Sequence, residues 1–185
     1  MIVRRAGPAD VEAIAQVHVQ AWRESYPDLL PWSEIDARPL ETRAAQWRNT
    51  LIQLDRPTFV ADEDGAVAGF VSGGTVMWSG LSTDGEVSAL YLLDAIKRRG
   101  FGRALFGAML GELAARGIRS AGLRVLTANA PARRFYEAMG GRLGESRLDR
   151  RGEFVFDEVA YIWEDLTAFE APCVDPAPRL REERR

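Results

Sequence analysis

Seven residues, Lys97-Arg98-Arg99-Gly100-Phe101-Gly102-Arg103, constrain this chain more than any other stretch, because they join a strand-like run, Val87 to Leu93, to a helix-like run, Phe101 to Arg116. The first amides of a helix have no intrahelical partner and the macrodipole is positive there, so an anion at such a junction accepts several hydrogen bonds at once. Gly100 and Gly102 tolerate positive φ and carry no Cβ to hold an anion off the main chain. Lys97, Arg98, Arg99 and Arg103 add four positive charges in a chain whose net charge is −3. The segment suits a diphosphate.

Its spacing excludes two common nucleotide sites. The phosphate loop of nucleoside triphosphatases needs Gly, four residues, then Gly-Lys-Ser/Thr, which is missing, and a dinucleotide fingerprint would place a third glycine where Leu105 stands. A solvated basic loop that happens to precede a helix would explain the segment in isolation. A second segment follows it, however. Leu123-Arg124-Val125-Leu126 reads as a short strand, and Asn129 to Gly141 reads as a short helix with Asn129 as N-cap, Pro131 in the first turn and Gly140-Gly141 as the stop.

Leu90-Tyr91-Leu92-Leu93, then Lys97-Arg98-Arg99-Gly100-Phe101-Gly102, then Asn129 and Phe135-Tyr136-Glu137, together resemble the GCN5-related N-acetyltransferase family. That family moves an acetyl group from acetyl-CoA to an amine. Its first motif is written Gln/Arg-x-x-Gly-x-Gly/Ala, and the specificity lies in the order strand, glycine loop, helix, strand, Asn-started helix with a Tyr. The resemblance spans roughly Ile2 to Glu164. Lys97 departs from the usual Gln or Arg, Asp94 from a frequent Pro, and Ile96 from a common aromatic; a lysine keeps the charge but loses the planar fork.

The resemblance implies an α/β fold with a mixed, mostly antiparallel sheet flanked by helices, its central strands splayed to admit the pantetheine arm. It implies acetyl-CoA held by Leu92, Leu93, Lys97, Arg98, Arg99, Gly100, Phe101, Gly102, Arg103, Asn129 and Arg133. The backbone N–H of Leu92 would face the thioester carbonyl, and Tyr136 would protonate the departing thiolate. The competing reading of Tyr136, ranked below the catalytic one, is a core residue beside Phe135. Glu86, at the start of the central strand, corresponds to a water-relaying glutamate in many relatives, or is simply a solvated charge. His18, the only histidine, falls on an apolar helical stripe with Ile14 and Trp22 and reads as a satisfied, partly buried residue, ranking below Glu86 as a base. Trp22, Tyr26, Trp32 and Trp78 are candidate walls for the acceptor, or core. The stretch Trp22 to Pro31 is similar to small bacterial acetyltransferases, which favours a small-molecule primary amine attacking directly in a ternary complex. A homodimer is expected on the same ground. The rival reading is a non-catalytic acyl-CoA sensor of the same fold.

With 185 residues and 46% hydrophobic content, one core is expected, over residues 1–166, followed by a Pro-rich charged tail, 167–185, with the composition of a poorly ordered segment. Balanced charge argues against nucleic acid as a partner. Cys173, the single cysteine, excludes an internal disulfide or a cysteine-built metal site, and no metal site is expected. No apolar run of spanning length and no signal-peptide pattern occur, so no membrane association is expected and a cytoplasmic setting is the default.

Local patterning completes the expected elements. A strand covers Ile2 to Ala6 and a helix runs from about Gly7-Pro8-Ala9-Asp10 to Tyr26. A helical stretch from Ser33 to Leu54 is interrupted by Pro39. Thr58 to Asp62 and Ala66 to Thr75 flank a turn sequence and form a hairpin. A last hairpin pairs Arg142 to Arg147 with Glu153 to Trp163 around Asp149 to Gly152.

Overall fold

The computed structural model describes residues 2–77, 79–151 and 154–169. In chain order the elements are β1 (Ile2–Arg5), α1 (Val11–Ser25), α2 (Trp32–Ile35), α3 (Leu40–Leu51), β2 (Thr58–Glu63), β3 (Ala66–Thr75), β4 (Gly85–Leu92), α4 (Phe101–Ala115), β5 (Ala121–Leu126), α5 (Ala130–Ala138), β6 (Arg142–Arg151) and β7 (Phe154–Trp163). Before α1, Asp10 accepts a hydrogen bond from the Gly7 N–H at 2.8 Å while its carboxylate is gripped by Arg4 at 2.8 Å. That pairing fixes the angle between β1 and α1. Pro39 separates α2 from α3, as its missing donor requires.

The seven strands form one sheet in the order β1-β2-β3-β4-β5-β7-β6. Every neighbouring pair is antiparallel except β4–β5. Strand alternation divides the core between two faces. Phe59, Ala61 and Val71 pack with Phe101, Leu105, Phe106 and Met109 of α4, whereas Val60 and Phe70 pack with Ile14 of α1 and Trp47 of α3. Leu105, Met109 and Leu113 are fully buried, the stripe their spacing of four dictates. Gly117, with φ of 81°, ends α4.

Two differences from the sequence reading matter. β4 begins at Gly85 rather than Val87, which draws Glu86 into the ladder. The last hairpin is longer and its turn tighter, with Arg151 paired to Phe154. Gly152 and Glu153 lie outside the described residues, as do Trp78 and residues 170–185 with Cys173; of the expected tail, Phe169 is described and packs on the core. Among the described residues no helix is long and apolar enough to cross a membrane, and no group of three or more His, Cys, Asp or Glu could hold a metal ion.

Gly73 marks where β3 passes close to both β4 and α4. A Cβ there would lie 2.6 Å from the Glu86 carbonyl oxygen and 3.0 Å from Met109 Sδ. Gly73→Ala should therefore destabilise the fold by about 1–3 kcal/mol, as overpacking against backbone does. Urea denaturation measures it; an unchanged midpoint would contradict the close approach.

Candidate active site

β4 and β5 are joined by only two register pairs, Gly85↔Ala121 and Glu86↔Gly122. Beyond them β4 stays with β3 and β5 stays with β7, so a gap opens toward the carboxyl ends of both strands. Successive amides of a strand face opposite edges. The Leu93 N–H donates to Ala68 O on the β3 side at 3.0 Å, which turns the Leu92 N–H toward the gap. Leu93 itself keeps its amide inside the sheet.

At the end of β4 the glycine loop turns into α4. Gly100 takes the left-handed region (φ 89°) just before the helix, and a Cβ added there would meet nothing within 4 Å, so the loop backbone fronts open space. Ala104 is the first α4 residue whose N–H closes onto the helix start, on Gly100 O at 3.1 Å. The amides of Phe101, Gly102 and Arg103 remain as helix-start donors. The Phe101 ring itself is fully buried, so this residue can serve an anion through its amide alone.

Of the four cations counted in the sequence, two have partners within the fold. Lys97 donates to Asp94 at 2.6 Å, and Arg99 pairs with Glu63 while lying over the Phe101 ring. Arg98 and Arg103 are exposed with no ion-pair partner among the described residues, and are the two free to meet phosphate. Asn129 caps α5 by accepting the Ala132 N–H at 3.2 Å, and Arg133 donates to Tyr161 Oη and Thr127 O. Both residues thus brace α5 first, which narrows what they can offer a cofactor to Asn129 Nδ2 and Arg133 Nη2.

On the α1/α3 side of the gap lies a cavity of about 660 Å³ that sequence reasoning had only sketched. A β-bulge creates its chemistry. Ser72 pairs with Ala89 and Gly73 with Val87, so Ser88 is the extra residue on β4. Without it, alternation would put Val87 on the face of Ala89 and Tyr91; with it, Val87 turns into the α4 core and Glu86 turns into the cavity. Glu86 is only 3% exposed and takes a hydrogen bond from Arg56 Nη2 at 2.9 Å. It is a buried ion-pair partner, not the solvated strand-entrance charge that its position in the sequence allowed.

Aromatic rings line the cavity. Tyr26 and Tyr91 hydroxyls are 3.2 Å apart, and burial followed by the Tyr91 phenol pushes the Tyr26 phenol well above its ordinary value. His18 stacks on Tyr91 at 4.9 Å, and its Nδ1 accepts the Trp47 indole N–H at 3.1 Å. Burial, with Arg43 and Arg38 nearby, drives His18 down to about 2, so it is neutral and its one lone pair is taken. It cannot be the base. Of the four expected walls, Trp22 and Tyr26 line the cavity; Trp32 is 54% exposed at the start of α2, outside it, and Trp78 is not described.

Across the gap, Tyr136 sits on α5 at 9% exposure among Phe106, Phe135, Tyr161 and Trp163. Its hydroxyl hydrogen-bonds to no described residue. Burial, and then the phenol of Tyr91, raise it above the ordinary tyrosine value, so it holds its proton at neutral pH. The ring is core, and the hydroxyl lies within electrostatic reach of Tyr91. Tyr91, Arg56, Arg43, Arg124 and Glu158 also line the cavity and were not singled out as site residues in the sequence. Tyr91, Arg124 and Glu158 stand on strands whose inward faces could have been read from alternation; Arg43 and Arg56 left no such signal.

The site thus joins a split sheet, an anion-receiving loop at its gap and a lined cavity beside the gap. Residues 12–141 match the family model described as "Acetyltransferase (GNAT) family". The chain is 33% identical over 168 residues to an uncharacterised N-acetyltransferase, YuaI, of Bacillus subtilis (strain 168), covering 90% of this chain and 94% of that protein. Its fold is similar to the yncA structure from Salmonella typhimurium with acetyl-CoA (TM-score 0.69, 21% identity, 93% and 97% of the two chains). It is also similar to the PaiA N-acetyltransferase of Thermoplasma acidophilum in complex with coenzyme A (TM-score 0.66, 19% identity, 84% and 96%). The chain belongs to the GNAT family of acetyltransferases, and acetyl-CoA is its acyl donor. The free helix-start amides, the left-handed Gly100 and the two unpaired arginines fit a diphosphate at the loop.

Two expectations follow. Acetyl-CoA at 100 times Kd should stabilise the protein by about 2.7 kcal/mol. Gly100→Val should remove that shift while also lowering the melting temperature, because φ of 89° strains any branched residue; a retained shift would place the diphosphate elsewhere. His18 should set the acid-side stability. Its folded pKa lies below the unfolded value of about 6.5, so its stabilising contribution is present above pH 6.5 and falls by about 1.4 kcal/mol per unit as pH drops toward 5. Denaturation from pH 7 to 5 measures the slope, and His18→Gln should flatten it.

Proposed function

We propose that this protein acetylates the primary amine of a small molecule seated in the cavity, by direct attack on acetyl-CoA in a ternary complex. The observation that carries this reading is the Ser88 bulge, which turns a carboxylate into a cavity lined in part by aromatic rings beside the gap. An ammonium has no lone pair and must lose a proton before it attacks. Glu86 receives that proton, directly or through water, and Arg56 holds its carboxylate in place. The aromatic walls exclude bulk water and align the amine.

Acetyl-CoA supplies the thioester carbonyl and the thiolate leaving group. The Leu92 N–H, turned to the gap, donates a hydrogen bond to the carbonyl oxygen as charge develops there. Tyr136 gives its proton to the departing sulfur, and its burial supports that role by keeping it protonated. The amides and arginines of the glycine loop anchor the diphosphate. A homodimer belongs to the same proposal, supported by the apolar Leu143, Leu148 and Val155, which are 51%, 73% and 48% exposed at the β6–β7 edge.

Tyr136→Phe removes one hydroxyl and little volume. Single-turnover acetyl transfer should fall by roughly 10²- to 10⁴-fold with acetyl-CoA binding retained. Glu86→Gln should lower kcat/KM and weaken its rise between pH 6 and 9, the range over which a free amine of pKa about 8 to 10 loses its proton. Wild-type single-turnover rates in both variants would show that transfer proceeds without these two groups and would overturn both assignments.

A further inference from the structure

We propose that the acceptor amine also carries a carboxylate, which the guanidinium of Arg43 beside the Trp22 indole binds at the α1–α3 end of the cavity. This rests on the cavity being the acceptor site. Arg43 is 3% exposed and lines the cavity, yet among the described residues it has no carboxylate partner. Its hydrogen bond is to Gln46 Oε1 at 3.3 Å, and its guanidinium carbon lies 4.9 Å from the Trp22 ring centroid. The other deeply placed guanidiniums are different: Arg4 pairs with Asp10 and Asp62, Arg56 with Glu86, and Arg124 with Glu145. A buried cation without a counter-ion is costly unless something supplies one.

The surroundings repeat the same deficit. The charged neighbour acting on Arg43 is Arg38, of like sign, which also lines the cavity. Burial and then Arg38 pull Arg43 down to about 10, while the Tyr91 and Tyr26 phenols push the other way, so it stays cationic at neutral pH. Arg43 and Arg38 both lower His18, which shows that the positive field fills this end. The Trp22 indole N–H is buried with no acceptor among the described residues. Donors without acceptors, in a positive field walled by aromatic rings, complement a planar monoanion on an apolar stem. The field also orients the ligand: an ammonium is repelled from Arg43 and its nitrogen is left toward Glu86 and the gap.

The test compares α-, β- and γ-amino acids with their carboxamides as acceptors of acetyl from acetyl-CoA. The acids should be preferred about 10²-fold in kcat/KM, mostly through KM, although the α-amino amides have the larger fraction of free amine at neutral pH. Arg43→Met should bring the ratio near one, and Arg43→Lys should restore part of it. Melting and the acetyl-CoA shift check that the variants fold. If Arg43→Met does not fold, the wild type decides: amine-free carboxylic acids of the same stem should compete with the acceptor and their amides should not. Equal use of acids and amides by the wild type overturns the carboxylate site and leaves the acetyl-transfer reading intact. Amino acids that bind the CoA complex by calorimetry through Arg43 but are never acetylated would support the site and overturn the transfer. Neither binding nor transfer of any acid overturns the proposal.

Discussion

The two-pair ladder between β4 and β5 is the constraint on which the rest of this structure depends. Small residues make it possible. A Cβ on Gly85 would meet Ile118 Cγ2 at 2.8 Å, and one on Gly122 would meet Ile162 Cδ1 at 2.9 Å and Leu81 Cδ1 at 3.0 Å. The joint is therefore tight at one end. Beyond it the strands follow their other neighbours, and β4 is left with backbone donors and acceptors unpaired along one edge. Such an edge is costly in a folded protein unless something polar occupies it. The gap is thus a binding site because of missing main-chain partners, before any side chain is considered.

The Ser88 bulge uses the same strand for a second purpose. One extra residue reverses the alternation between Ala89 and Val87, so a single strand presents apolar side chains to α4 along most of its length and a carboxylate to the opposite face at its start. Glu86 would be expensive to bury alone; Arg56, approaching over Gly74, where a Cβ would sit 2.4 Å from Asp55 O, supplies its counter-charge. The fold keeps this pair buried and in register. Among the described residues it leaves Arg43 without such a partner, the contrast on which the proposed carboxylate site rests.

What could be read from the sequence was what is decided locally. The glycine loop, the Asn129 cap, the Pro39 break and the α4 stripe each depend on residues within a turn or two of one another, and each is found in the structure. The buried, satisfied His18 was also legible, because an apolar stripe constrains whatever sits on it. The pairing of Lys97 with Asp94 was within reach, but that of Arg99 with Glu63 joins residues 36 apart. The bulge was not legible, since Glu86-Val87-Ser88-Ala89 reads as ordinary alternation until β3 is laid beside it. Arg43 was hidden for a related reason: on a helix of weak periodicity a charged residue reads as solvent-facing, and only the packing of α3 on α1 buries it. Trp32 failed in the opposite direction, since size and apolarity favoured a wall where the short α2 leaves it exposed.

The phenols show how separately built halves come to act together. α5 has nine residues, yet its hydroxyl-bearing ring is held from both ends, by the Asn129 cap and by the Gly141 N–H on Tyr136 O at 2.9 Å. The Trp163 indole adds a bond to Met139 O at 2.9 Å. On the other side of the gap the Tyr26–Tyr91 contact ties the end of α1 to β4, and Glu24 at that same helix end accepts the Asp94 N–H at 2.8 Å. The last turn of α1 therefore touches both the acceptor cavity and the approach to the glycine loop. A shift of α1 would therefore move a cavity wall and the approach to the glycine loop together.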